Sequence, residues 1–270
     1  MTSLRMKIVL ISCLLLCGCP NRQGTDTGNP TAVGIKFVGV NEAASSSLKL
    51  QTSSVTLTEA RIVLKSIDMD PLSLCQLETE IGDFETGDES ADLPGPFVVD
   101  LLADITIPDA DTFFVPAGPY CEMDIEFDRI EPENVPDGIA EDDPIVGEAL
   151  LVRGARGDGT PFLLRLSQDD RFKLEANSPV GFLVKNNALT QFFVRFGLDT
   201  WFSGVALEEA AVSDGIILLD DENNAALKTQ IVENIKRSSN LFLDLNGDGI
   251  LEPDESDDTL VLAEGSDEPD

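Results

Sequence analysis

The chain has 270 residues and is strongly acidic, with 50 Asp and Glu residues against 18 Lys and Arg residues and a formal net charge of −32. An acidic protein repels phosphate groups, so the composition excludes nucleic acid as a partner of the chain as a whole. The sequence contains no histidine. This excludes serine–histidine and cysteine–histidine nucleophiles, histidine general bases and histidine-ligated zinc.

The first 18 residues are typical of a secretory signal peptide. Arg5 and Lys7 make its start positive, and Ile8–Leu16 is an apolar segment too short for a lasting membrane span, which needs about 20 residues. The signal ends in Leu16-Cys17-Gly18-Cys19, which resembles the lipobox of bacterial lipoproteins. By this resemblance, Cys19 becomes the lipidated N-terminus that holds the protein to the membrane. The alternative is an ordinary signal peptide cleaved nearby, which leaves a free cysteine.

Residues 19–32 are polar, contain Gly and Pro, and are predicted to form a flexible tether. The residue after Cys19 is Pro20 rather than Asp. In the Gram-negative lipoproteins that this segment resembles, such a residue favours the outer membrane. We therefore expect a protein of the cell envelope, anchored by lipid in the outer membrane or at the cell surface.

Two cysteines remain in the predicted folded part, Cys75 and Cys121. One pair of cysteines in an exported chain predicts one disulfide bond, and the alternative is two unpaired buried thiols. Cys121 alternates with Met123, Ile125 and Phe127 on the apolar side of a segment whose other side is acidic. This pattern predicts that the sulfur points inward.

Apolar and polar residues alternate from Gly34 to Leu198, and Gly, Pro, Asp and Asn interrupt the pattern. The alternation predicts a mainly β fold, an antiparallel β-sandwich. The segment 131–145 is rich in Pro and acidic residues, and it divides the predicted sandwich into a domain at 33–135 and a second β unit at 145–219. One continuous sandwich is the alternative. The predicted strands are Gly34–Val40, Ser54–Met69, Phe97–Leu102, Thr112–Val115, Tyr120–Ile130, Val146–Arg153, Pro161–Ser167, Phe172–Glu175, Gly181–Val184 and Leu189–Leu198.

Three segments of the first unit resemble the N-terminal β-sandwich of a family of uncharacterised bacterial lipoproteins. They are Ser54–Lys65, Gly95–Leu102 and Ala117–Tyr120, the last of which leads into an acidic alternating strand. The resemblance covers about residues 33–130. It implies an architecture and no activity.

The region 220–258 is predicted to be a helix followed by a calcium loop. Leu227, Ile231 and Ile235 recur at four-residue intervals and predict an amphipathic helix over Asn224–Arg237, with Asn223 as its N-terminal cap. Residues 259–270 form an acidic tail that we expect to be frayed beyond Ala263.

Residues 244–255 match the EF-hand calcium loop D-x-[DN]-x-[DN]-G-x₅-E at every specified position. Such a loop offers oxygen atoms from alternate residues to a calcium ion, and Gly249 permits its sharp turn. We expect Ile250 to donate its backbone carbonyl while its side chain points into the core. The alternative is an acidic, solvated turn. Since the sequence holds no second matching loop, a structural calcium clip is favoured over a conformational sensor. The predicted ligands are Asp244, Asn246, Asp248, Ile250, Glu252 through water, and Glu255.

Two further patterns are weaker. Arg156-Gly157-Asp158 spells the tripeptide of integrin ligands, but its Gly-rich surroundings are those of a hairpin turn. Acidic pairs at 142–143, 169–170 and 220–221 are candidates for acid–base chemistry of the kind that glycosidases use, although nothing in their spacing selects one pair.

These patterns favour a lipid-anchored cell-envelope protein that acts as a calcium-stabilised binding or structural module. We expect no enzyme activity, and an envelope protein or glycan as the partner. One alternative is a histidine-free hydrolase of envelope glycans that uses paired carboxylates. The other is a surface adhesin that acts through long acidic loops such as residues 78–96.

Overall fold

The structure is a computed structural model that describes residues 30–40, 48–49, 54–73, 75, 91–109, 112–186 and 188–266. The predicted signal peptide, Cys19 and most of the tether lie outside the described residues, as do residues 78–90 of the acidic loop. The described strands are β1 (Pro30–Val40), β2 (Leu48–Lys49), β3 (Ser54–Pro71), β4 (Ala91–Asp100), β5 (Ile105–Ile107), β6 (Phe113–Pro116), β7 (Gly118–Phe127), β8 (Leu150–Arg156), β9 (Pro161–Leu166), β10 (Asp170–Ala176), β11 (Phe182–Val184), β12 (Thr190–Gly197), β13 (Val212–Ser213), β14 (Ile216–Leu219), β15 (Ser239–Leu243) and β16 (Ala263–Ser266).

The strands form one mixed sheet, and one helix, α1 (Ala225–Arg237), is described with them. The main path of the sheet runs β13-β14-β9-β8-β3-β7-β10-β16-β15-β12-β1-β6. The prediction of a mainly β fold is confirmed. The prediction of antiparallel pairing is wrong at two places, because β1 pairs in parallel with β12 and β14 pairs in parallel with β9. The β-sandwich arrangement stays a prediction.

β3 organises the sheet because both of its edges are paired along most of its length. One edge pairs with β8 over Val55–Ile62 and then with β7 over Leu64–Pro71. The other edge pairs with β2 and then with β4. Ile62, Val63 and Leu64 are all fully buried, so both faces of the sheet are covered here and the strict alternation of a half-exposed strand breaks down.

The main core is lined by aromatic rings from strands that are not neighbours in the sheet. Phe172 of β10 lies 6.2 Å from Phe196 of β12, measured between ring centroids, although β16 and β15 separate the two strands. Neighbouring strands are about 4.8 Å apart. A flat sheet would therefore hold these rings too far apart, so the sheet curves around the core.

The segment between the two predicted β units packs on the sheet. Ile130 and Ile145 are buried in a second, smaller core on the other side of β3. Strands from both predicted units pair directly, since β8 pairs with β3 and β10 pairs with β7. Residues 33–135 and 145–219 therefore share one sheet. The second core consists of Val63, Val98, Ile130, Ile145, Leu151 and Leu163.

The helix lies close to its predicted position and buries the predicted apolar side. Ile231 and Ile235 are buried and Leu227 packs against the core. Asn223 is not the cap: the helix begins after Asn224, and the amide of Asn223 donates to Asp220 instead. At 13 residues, this helix is short, and none of the described segments holds a helix that is both long and apolar enough to cross a bilayer.

Both ends of the described chain are more ordered than the sequence predicts. Residues 30–32, expected at the end of the tether, belong to β1 and pair with β6. Residues 264–266, expected to be frayed, belong to β16, which lies between β10 and β15. Ala263 is fully buried there, because it lies in the middle of the sheet.

Candidate metal sites

The predicted calcium loop at 244–255 follows a strand rather than a helix. β15 ends at Leu243, and the backbone N–H of Asp244 donates to the carbonyl of Gln191 on the neighbouring strand β12. After the loop the chain forms turns and a short 3-10 helix, Asp258–Leu260. A strand therefore precedes this loop and turns follow it, whereas two helices flank the loop of an EF-hand.

The first and last acidic residues of the loop point into it. Asp244 is 8% exposed and Glu255 is 3% exposed. The carboxylate of Asp244 accepts hydrogen bonds from the backbone N–H groups of Gly247 and Gly249, at 2.5 and 2.8 Å. Because a buried carboxylate is costly unless it is compensated, these contacts hold the loop in a closed turn.

Glu255 closes the loop from its other end. One of its oxygens accepts hydrogen bonds from the N–H groups of Leu245 at 2.8 Å and Asn246 at 3.2 Å, and the other accepts from Glu252 at 3.4 Å. The two ends of the twelve-residue segment are therefore fastened through one side chain. Gly247 and Gly249 have φ values of 77° and 72°, a region that glycine adopts without strain.

The middle ligands predicted from the sequence come together on the exposed side of the loop. The amide nitrogen of Asn246 donates to a carboxylate oxygen of Asp248 at 3.2 Å and of Glu252 at 3.3 Å. No three carboxylates of the loop bring oxygen atoms within 4.8 Å of one another. The predicted side-chain ligands therefore form two groups. One group, on the buried side of the loop, is Asp244 and Glu255, and the other, on the exposed side, is Asn246, Asp248 and Glu252.

The expected inward position of Ile250 is wrong, because its side chain is 61% exposed. Its neighbour Leu251 is half-buried and lines a cleft of about 600 Å³ between the loop and β1. Lys36 of β1 reaches across this cleft and donates to the carbonyl of Gly249 at 2.6 Å. Backbone contacts and a lysine, rather than the isoleucine side chain, therefore attach the loop to the sheet.

A second acidic group lies on the sheet itself, where the sequence analysis placed no site. Oxygen atoms of Asp70, Glu122 and Asp124 lie within 4.8 Å of one another. Asp70 and Glu122 are direct cross-strand neighbours on β3 and β7. Both strands show outward-facing acidic residues in their alternation, but only the pairing of the strands brings these three together.

Asp124 is the most buried member of this group, at 9% exposed. Burial raises the pKa of Asp124 to about 7, the negative charges of Glu122 and Asp70 raise it too, and the positive charge of Lys173 opposes them. Lys173 of β10 also forms an ion pair with Glu122 at 2.9 Å. The group therefore brings three carboxyl groups close together on a partly buried face of the sheet, and this closeness disfavours ionisation of Asp124.

The structure joins Cys75 to Cys121 in a disulfide bond, with their Cα atoms 6.5 Å apart. This agrees with the pairing predicted from the sequence. Cys121 lies on β7 next to Glu122 and is half-buried, so the bond fastens the segment after β3 to the strand beside the acidic group.

Arg156 and Asp158 of the Arg-Gly-Asp tripeptide bind each other. The guanidinium donates to both carboxylate oxygens of Asp158, at 3.1 and 2.7 Å, and also to the carbonyl of Leu207 at 2.8 Å. Hydrogen bonds from Arg156 and Thr160 hold the pKa of Asp158 well below its usual range. These contacts are those of the hairpin turn between β8 and β9.

Each acidic pair considered for catalysis contributes one carboxylate to an ion pair with a basic side chain. Asp143 contacts Arg61 at 2.8 Å, Asp170 contacts Lys236, and Asp221 contacts Lys228. An ion pair of this kind explains the carboxylate without a catalytic role. The geometry therefore selects none of these pairs as an acid–base couple.

Comparison of the chain with protein-family models, with curated proteins and with solved structures gives no match. The lipobox resemblance at Leu16–Cys19 and the lipoprotein-family resemblance over residues 33–130 therefore stay predictions from the sequence.

Proposed function

We propose that the protein is a lipid-anchored module of the cell envelope, a β-sandwich body in which calcium bound by residues 244–255 stabilises the C-terminal part. The observation that carries this proposal is the closed loop in which Asp244 and Glu255, the first and twelfth residues of the motif, are buried and face inward. In a calcium loop these two positions supply a side-chain oxygen and a bidentate carboxylate.

The donor set of the loop fits calcium in kind. Carboxylate, amide and carbonyl oxygens are the ligands that calcium prefers, at about 2.3–2.6 Å. The amide of Asn246 already lies between Asp248 and Glu252, and half a turn of the amide presents its oxygen in the same place. A cation there would replace the hydrogen-bonding amide as the positive partner of both carboxylates. Rotation of the Asn246 amide would thus let one cation contact the ligands on the exposed side of the loop together with Asp244 and Glu255.

Several contacts favour a structural role for the ion over a sensor role. Lys36 holds the carbonyl of Gly249, and Arg195 of β12 donates to the carbonyl of Ser256 at 3.2 Å. The loop is thus held on both sides by the sheet, and it has no partner loop to open against. We infer that binding adds stability without a large conformational change.

The anchor and the location follow from the sequence. Cys19 would carry the lipid, and repulsion would keep the acidic body away from an anionic bilayer, since the whole chain has a formal charge of −32. We propose that this body has a binding or structural role and no enzyme activity. Its proposed partner is an envelope protein or glycan.

Differential scanning calorimetry of the full chain, in CaCl₂ and in EDTA, tests the calcium site. At a tenfold excess of calcium over its dissociation constant, mass action adds about 1.4 kcal/mol, which raises the Tm by about 4 °C in a chain of this size. Glu255→Gln should abolish this rise because it removes the charge and the bidentate ligand.

Asp254→Asn is the matched control for that variant. It removes the same charge from an exposed side chain in the same loop, at a position that supplies no ligand in the motif. Asp254→Asn should therefore keep most of the calcium-dependent rise in Tm. Equal melting of the native chain in CaCl₂ and EDTA would reject the calcium role, and an equal response of both variants would assign the effect to general charge screening.

A further inference from the structure

The acidic group on β3 and β7 has the dimensions of a cation site. Oxygen atoms from Asp70, Glu122 and Asp124 all lie within 4.8 Å of one another. Two oxygens that bind one calcium ion at about 2.3–2.6 Å are separated by at most about 5 Å. Small rotations of the side chains are therefore enough to bring one calcium-sized ion into contact with all three carboxylates, without a change in the backbone.

A second observation, independent of the clustering, concerns Asp124. Its side chain is more than nine-tenths buried, at 9% exposed, and Oδ1 has no hydrogen-bond partner. Nearly all buried polar atoms in proteins are paired, so such an oxygen calls for a specific explanation, of which a bound ion is one.

Two basic residues act on the three carboxyl groups, which is one positive charge fewer than the three carboxylates carry when ionised. Lys173 forms an ion pair with Glu122 at 2.9 Å, and both Lys173 and Arg171 oppose the effect of the carboxylates on Asp124. Glu126, on the same face of β7, is outside this balance because it forms its own ion pair with Lys65 at 2.9 Å. A divalent cation supplies the positive charge that these neighbours lack.

We propose that Asp70, Glu122 and Asp124 bind a hard divalent cation of the calcium or magnesium type at a site separate from residues 244–255. Asp70 and Glu122 are half-buried, so water can complete the coordination from the solvent side. The site is rigid because its residues lie on two paired strands of the sheet, and the Cys75–Cys121 disulfide adjoins it.

Isothermal titration of the full chain with CaCl₂ and, separately, with MgCl₂, in a mildly alkaline buffer, tests the proposal. Asp124→Asn should remove one bound ion per chain from the titration, or weaken its binding by about tenfold or more, since affinity depends on the number of charged ligands. Glu126→Gln is the matched control, because it removes one charge from the same face of β7 and should leave binding unchanged. Glu122→Gln replaces Asp124→Asn if circular dichroism shows that the latter is not folded.

The two metal sites are distinguished by their own variants. If the loop at 244–255 binds nothing, Glu255→Gln has no effect on the titration, whereas Asp124→Asn still removes an ion. If the sheet site does not exist, only Glu255→Gln has an effect. Titrations with both salts that are identical for the native chain, Asp124→Asn and Glu122→Gln would overturn the proposal.

Thermal melting gives a second readout of the sheet site. In EDTA, Asp124→Asn should melt at or above the temperature of the native chain, because it removes a buried carboxyl group that lies against two other acids. In the salt that binds, the order should reverse, because only the native chain gains the bound ion. A difference in Tm that is the same in both conditions would contradict the proposal.

Discussion

Tyr120 is the only tyrosine of the chain, and its phenol is held inside the fold. The side chain is 2% exposed and its hydroxyl donates to the carbonyl of Pro116 at 2.7 Å. Burial raises the pKa of Tyr120 to about 12, compared with about 10 for an unfolded tyrosine. The folded state therefore favours the neutral phenol.

This difference predicts a loss of stability at alkaline pH that depends on Tyr120. The contribution of the group is fully present below pH 10 and is lost as the pH rises towards 12, by about 2 kcal/mol. Tyr120→Phe removes the titrating group, so urea unfolding should show a weaker decline in stability between these values. The phenolate absorbance of the folded chain, which has no other tyrosine, reports the pKa directly.

The lysines and arginines are the same in the native chain and in Tyr120→Phe. Their effect on stability therefore cancels when the two curves of stability against pH are compared. Tyr120→Phe also loses one hydrogen bond, which lowers stability by about 1 kcal/mol at neutral pH. The two stability curves should therefore converge as the pH rises. Parallel curves, or a phenol that ionises near pH 10 in the folded chain, would show that burial does not hold the proton.

At the scale of elements, β16 shows how the sheet incorporates a segment of little intrinsic strand character. Its sequence, Ala263-Glu-Gly-Ser266, has one apolar side chain, yet it pairs with β10 on one edge and β15 on the other. A β-carbon on Gly265 would collide with the backbone carbonyl of Lys236 at the end of α1. The strand fits under the helix because this residue has no side chain.

Gly265→Ala should therefore lower the free energy of unfolding by about 1–3 kcal/mol, the usual cost of overpacking. The obstacle is backbone, which cannot rotate away as a side chain does. Gly118→Ala in β7 is the matched control, because a β-carbon there meets nothing within 4 Å. Chemical unfolding of both variants and the native chain gives the measurement, and equal stabilities would indicate that β16 does not pack against α1.

At the scale of the whole molecule, the disulfide joins two parts of the sheet that are distant in sequence. Cys75 follows β3 and Cys121 lies on β7, 46 residues later. The enclosed segment contains β4, β5 and β6. Closing a loop of this length restricts the unfolded chain and stabilises the folded state by about 4 kcal/mol in the chain-entropy description.

The double variant Cys75→Ala/Cys121→Ala should unfold at a lower urea concentration, with up to about 4 kcal/mol less stability. Reducing agent should lower the stability of the native chain by a similar amount and leave the double variant unchanged. This pattern separates the effect of the bond from any effect at Cys19. A native chain that is equally stable with and without reducing agent would contradict the prediction.

Patterns within a few residues determined much of what the sequence predicted correctly. The alternation over Ser54–Met69 predicts nearly the whole of β3, and Leu227, Ile231 and Ile235 predict the buried side of α1. The calcium motif, which stays a prediction, is local too, because all of its proposed ligands lie within residues 244–255. Such patterns are readable since strand and helix periodicity act between near neighbours.

The tertiary structure alone decided what depends on pairing between distant segments. The parallel pairing of β1 with β12, the burial of residues 130 and 145 on the sheet, and the ordering of β16 all depend on partners far away in the chain. The group of Asp70, Glu122 and Asp124 is of this kind. Its members are ordinary outward-facing acids in their own strands, and only the hydrogen-bonded register of β3 with β7 brings their charges together.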